Sequence, residues 1–93
     1  MNYRVVSAPE AVEQICALYR YITTVVSPEI TARYTDAIVS YCESLRAFPH
    51  RGTLREDVRP GLRIAHYKKR AIIAFDVDAV SARIETMAVG LLG

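Results

Sequence analysis

Leu62-Arg-Ile-Ala-His-Tyr67 is followed across Lys68-Lys69-Arg70 by Ala71-Ile-Ile-Ala-Phe-Asp-Val77, and this stretch decides the fold. Its first half alternates, with Leu62, Ile64 and His66 on one face and Arg63, Ala65 and Tyr67 on the other, the period of a β-strand. We place Leu62 and Ile64 toward the core, so Arg63 points away from it. Residues 70–77 are almost wholly apolar, as expected of a central strand covered on both faces. Lys68-Lys69 is the hairpin turn between them, and Arg59-Pro60-Gly61 is the turn that leads in. Asp78-Ala79 turns the chain again, into a last strand from Ser81 to about Val89.

Upstream the period is that of helices. Ser7-Ala-Pro-Glu10 reads as a capping box, with the Ser7 hydroxyl accepting from the third helical amide and Glu10 reaching back. Ala11, Val12, Ile15, Leu18, Tyr19, Ile22 and Val25/Val26 then form an apolar stripe, which predicts a helix over about 8–25. Ser27-Pro28-Glu29 repeats the start signal. The second stripe is Ile30, Tyr34, Ala37/Ile38, Tyr41, Leu45 and Phe48, stopped by Pro49 and Gly52. Tyr19, Tyr34 and Tyr41 lie on the stripes and read as core, whereas Tyr21 reads as surface. A connection of a few residues makes the helices an antiparallel hairpin. With the β-prone Tyr3–Ser7 in front, residues 1–93 form one α+β domain: a strand, a helical hairpin and a three-strand antiparallel meander, helices on one face of a small sheet.

Two helices cover one face only, yet Ile72, Ile73, Ala74 and Phe75 place apolar groups on both. Met87, Val89 and Leu91 likewise follow Ser81, Arg83 and Glu85 along one face of the last strand. Burying a large aliphatic side chain contributes roughly 1.5–3 kcal/mol, so a partner chain is expected over the second face.

The chain has 93 residues, 52% hydrophobic and 24% charged, which excludes disordered and collagen-like classes. No apolar run reaches the roughly 20 residues of a membrane span. Without a charged leader and apolar stretch at its start, the chain is expected in the cytoplasm, with Cys16 and Cys42 as reduced core thiols rather than a disulfide. The formal net charge of +2 is unevenly spread. Residues 49–70 carry seven basic residues (Arg51, Arg55, Arg59, Arg63, Lys68, Lys69 and Arg70) against Glu56 and Asp57, while the flanking segments are slightly acidic. A basic middle on such a body suits an acidic or phosphate-bearing partner.

The element order resembles the RelE/ParE toxin superfamily of bacterial type II toxin–antitoxin systems. The likeness is carried by Ser7-Ala-Pro-Glu-Ala11, Phe48-Pro-His-Arg-Gly52, Arg59-Pro-Gly-Leu-Arg63 and Ala71-Ile-Ile-Ala-Phe-Asp-Val77, and the spacing of the middle two is most similar to the ParE branch. The resemblance implies a toxin that inhibits DNA gyrase by protein binding and forms a hetero-oligomer with a cognate acidic antitoxin. With no glycine-rich phosphate loop and no recognisable DNA-reading motif in the sequence, no cofactor and no sequence-specific nucleic-acid binding by the chain itself are expected. Relatives continue past the Gly93 position with a polar and aromatic tail, so a form ending at Gly93 could bind antitoxin and have lost toxicity.

The RelE branch instead cuts mRNA on the ribosome, and that chemistry needs a proton acceptor, a proton donor and cations on the phosphate. Arg63 matches the strand arginine that binds phosphate in that branch. The acid–base position at the end of the last strand falls nearest Leu91, and no His, Tyr, Lys or Glu lies between Thr86 and Gly93. His50, His66 and Tyr67 are the possible substitutes. Cys16, Cys42, His50 and His66 show no metal-ligand spacing. For a protein-binding toxin the candidates are Arg51, Arg55, Arg59, Arg63, Lys68 and Lys69 as a cationic rim, with Leu91 and Leu92 as an apolar contact. Arg63 is the leading residue among them.

Overall fold

The computed structural model describes residues 3–68 and 71–91. Strand β1 (Arg4–Ser7) leads into helices α1 (Pro9–Thr23) and α2 (Pro28–Ser44), followed by strands β2 (Thr53–Leu54), β3 (Leu62–Tyr67), β4 (Ala71–Asp78) and β5 (Arg83–Leu91). The strands form one mixed sheet in the order β1-β5-β4-β3-β2. The four strands β2 to β5 each run antiparallel to the next, and β1 adds in parallel beside β5.

The apolar run of residues 71–77 becomes the middle strand β4, and its alternate residues Ala71, Ile73 and Phe75 are fully buried. They pack with Ala65, Ile84 and Val89 of the neighbouring strands, with Ile38 and Cys42 of α2 and with Leu45 at its C-cap. The helices therefore lie on one face of the sheet, as the sequence predicts. On the other face Ile64, Ile72, Ala74 and Ala88 are only half-buried.

Several sequence expectations are corrected. Arg63 and Tyr67 share the face of Ala65, which is buried under α2, so Arg63 projects to the helix side of the sheet and His66 to the open side. Alternation defines two faces without saying which one faces inward; here it is the face of the small Ala65 that is buried against α2. In β5 the single parity run breaks as well. Phe75 pairs with Thr86 but Ala74 with Ala88, so Met87 is an extra, bulged residue. Beyond it Val89 swings to the buried face, opposite Ile73, while Glu85 stays on the open face opposite Asp76.

The two helix starts differ. Ser27 caps α2 as expected, its hydroxyl accepting from the Ile30 amide at 3.3 Å. Ser7 makes no capping bond, because it is the last residue of β1, paired with Thr86, and Ala8 is the N-cap of α1. The inner face of α2 is Thr31, Thr35, Ile38 and Cys42, continued by the C-cap Leu45, whereas Ile30 and Phe48 are exposed. Thr31 and Thr35 tolerate burial because their hydroxyls donate to the Ser27 and Thr31 carbonyls one turn back. Tyr19 and Cys16 also lie at the surface rather than in the core. Where β1 ends, α1 seals the exposed edge of β5: Gln14 Oε1 accepts from the Val89 amide at 2.8 Å.

Candidate functional site

The basic middle of the chain falls where α2 ends and the meander begins, and its arginines are largely engaged within the fold. The chain leaves α2 through Ala47-Phe48-Pro49 and doubles back at Gly52, whose φ of +75° is strained for any residue with a Cβ. A Cβ there would also sit 2.2 Å from the Ile64 carbonyl oxygen. This close crossing brings the turn over the end of β3.

Arg63 rises from β3 into the turn. Its Nε donates to the Arg51 carbonyl at 3.0 Å, and its Nη2 donates to the carbonyls of His50 at 2.8 Å and Gly52 at 3.2 Å. Arg51 is held from the other side. Its Nη1 donates to Ser44 Oγ at 3.0 Å, and its guanidinium lies 5.1 Å from the Tyr41 ring centre and 4.8 Å from that of Phe48. Cation–aromatic contacts of this kind contribute about 0.5–1 kcal/mol at exposed sites. Tyr41 in turn packs on Tyr67, ring centres 4.9 Å apart, and Lys68 Nζ lies 5.7 Å over Tyr67. A continuous row results: Phe48, Arg51, Tyr41, Tyr67, Lys68.

The rest of the predicted rim pairs with acids. Arg55 makes a two-pronged contact with Asp57 at 2.8 and 2.9 Å, and this partner holds the Asp57 carboxyl below the usual carboxylate range. Arg59 reaches Asp76 at 3.4 Å across the Gly61 turn. Both pairs are solvent-exposed on the arginine side, so each adds little to stability. Leu91 ends β5 opposite Ala71. Lys69 and Leu92 lie outside the described residues.

Of the candidate nuclease residues, Arg63 and Tyr67 share the helix side of the sheet and the carbonyl of His50 meets Arg63, whereas His66 is exposed on the open side. Among the described residues no group of three or more His, Cys, Asp or Glu is placed to hold a metal ion, and no helix is long and apolar enough to cross a membrane. What the sequence did not reveal is the row of rings and cations. Phe48-Pro-His-Arg-Gly52 carries its signal, since a glycine just beyond a proline-broken helix marks a sharp reversal, but no periodicity links it to Tyr41 and Tyr67.

Residues 5–90 match the family model of the ParE toxin of the type II toxin–antitoxin system parDE. Among solved structures, the chain is similar to one in the chromosomal ParDE toxin–antitoxin system of P. aeruginosa, at a TM-score of 0.81 and 17% identity over 98% of this chain and 97% of that one. It is also similar to a chain of the RelBE2 toxin–antitoxin complex of Mycobacterium tuberculosis, at a TM-score of 0.68 and 18% identity over 99% and 100% of the two chains. A chain of the intact E. coli RelBE complex follows at 0.54 and 14%, over 98% of each. At these identities the structures establish the fold, across the full length of both partners. No curated protein sequence matches the chain.

Proposed function

The chain belongs to the family of ParE toxins of type II toxin–antitoxin systems, and from that premise we propose that it inhibits DNA gyrase by binding it as a protein and is neutralised by a cognate acidic antitoxin. The observation that carries the reading is the engagement of Arg63. RNA cleavage through the 2′-hydroxyl needs a cation on the phosphate and a nearby proton donor and acceptor. The strand arginine that matches that role, Arg63, already donates three hydrogen bonds to backbone carbonyls, and His66 lies across the sheet from it. A gyrase inhibitor needs no acid–base pair, only a surface that favours one state of its target. The solved relatives are toxin–antitoxin complexes, and the half-buried apolar face of the sheet supports an antitoxin partner here as well.

The test is a plasmid assay with purified toxin, DNA gyrase and ATP. Loss of supercoiling with accumulation of linear, protein-linked DNA is expected, and added antitoxin abolishes it. Unimpaired supercoiling with folded toxin, together with mRNA cleavage on translating ribosomes, overturns the reading in favour of a RelE-type nuclease.

A further inference from the structure

We propose that Arg63 is a positioning residue: it fixes the Phe48–Gly52 turn in the shape that presents Phe48 and Arg51 to the target protein, without itself touching the target. The inference rests on reading the chain as a toxin that acts through a protein surface.

The turn has two anchors, one on each neighbouring element. From α2, Ser44 and Tyr41 hold the Arg51 side chain. From β3, Arg63 holds the main chain, with one planar group donating to three successive carbonyls, those of His50, Arg51 and Gly52. Only a guanidinium supplies donors in a rigid fork of this kind; a lysine ammonium is a point charge on a flexible stem. Strand β3 gives the fork a fixed origin, because it is paired on both sides at this position, with Leu54 of β2 and Phe75 of β4.

What the anchored turn displays is Phe48, 57% exposed and lying against the Arg51 guanidinium. Aromatic and arginine side chains dominate the energetics of protein interfaces. Side chains ordered before docking also lose less freedom on binding. Phe48 and Arg51 therefore have the chemistry and the order of a recognition pair, whereas the Nε and Nη2 groups of Arg63 are already engaged by the carbonyls of the turn.

The experiment is a double-mutant cycle read by growth arrest on expression, which does not depend on the target's identity, and by inhibition of purified gyrase. Arg63→Ala and Arg63→Lys are each expected to lower potency about tenfold, and Arg51→Ala by a similar factor. The Arg63→Ala/Arg51→Ala pair is then expected to be no weaker than Arg51→Ala alone, because residues acting as one unit are not additive. Full potency in Arg63→Lys, or a multiplied loss in the double variant, shows that Arg63 makes its own contact and overturns the proposal. Should the Arg63 variants fail to fold, side-chain hydrogen exchange on the unmutated protein answers instead: the Arg63 Nε–H is expected to be protected, and exchange at the rate of a solvated arginine overturns it. Growth arrest by the unmutated protein without any effect on gyrase refutes the gyrase reading and leaves the cycle on growth arrest decisive. No growth arrest at all refutes both.

Discussion

The same side chain behaves differently at two positions of this fold. Cys16 is exposed on α1, while Cys42 is buried on the inner face of α2, and burial pushes its thiol up, only partly offset by the Thr86 hydroxyl. A raised folded value gives stability that is fully present below the ordinary thiol pKa of roughly 8.5 and is lost as pH rises from there through the higher folded value, since the unfolded chain then releases a proton the folded chain retains. At pH 8 iodoacetamide is expected to modify Cys16 within minutes and Cys42 only after denaturant is added. The urea midpoint is expected to fall between pH 8 and 10, and to fall less in Cys42→Ala. Equal labelling of both thiols in the folded protein contradicts this. The burial of Cys42 was legible in the sequence, where both cysteines stand in helical patterns and read as core, but the exposure of Cys16 was not. Arg63 teaches the same lesson: its place on an alternating strand was plain, but the side it faces depends on how α2 lies over Ala65.

At the scale of elements, strong local chemistry was readable and competition between elements was not. Ser27-Pro28-Glu29 starts α2 where the sequence places it, because nothing else claims Ser27. Ser7 carries an equally good signal, yet its backbone is taken by pairing with Thr86, which leaves the capping role to Ala8. Substitution separates the two cases. Ser27→Ala is expected to cost about 1 kcal/mol in urea unfolding, in the ordinary range for losing a cap, while Ser7→Ala falls within about 0.5 kcal/mol, the range of exposed positions. A comparable loss in both means that Ser7 caps α1 in solution. The two-residue strand β2 and the bulge at Met87 escaped notice for a related reason. A pair of bridging residues has no period, and one inserted residue reverses parity without any mark in the sequence.

At the scale of the whole molecule, the apolar strand β4 sets the division of labour between the two sheet faces. Ile72 and Ile73 are neighbours in sequence with the same side chain, but Ile73 is fully buried toward the helices and Ile72 is half-exposed on the open face. A charge placed at Ile73 has no partner and no water, which costs several kcal/mol; Ile73→Asp is expected to abolish cooperative unfolding. Ile72→Asp leaves the core untouched, and its melting temperature is expected to stay within a few degrees of the unmutated value. If an acidic antitoxin covers the open face, as we propose, the same substitution sets a carboxylate against that partner and removes apolar contact. Co-purification with antitoxin is then expected to fall at least about tenfold, the scale of 1.4 kcal/mol. Undiminished capture by a folded Ile72→Asp variant moves the antitoxin off this face. The next place to look is the apolar groove at the tip of the helical hairpin, lined by Tyr21, Val25, Ile30 and Tyr34.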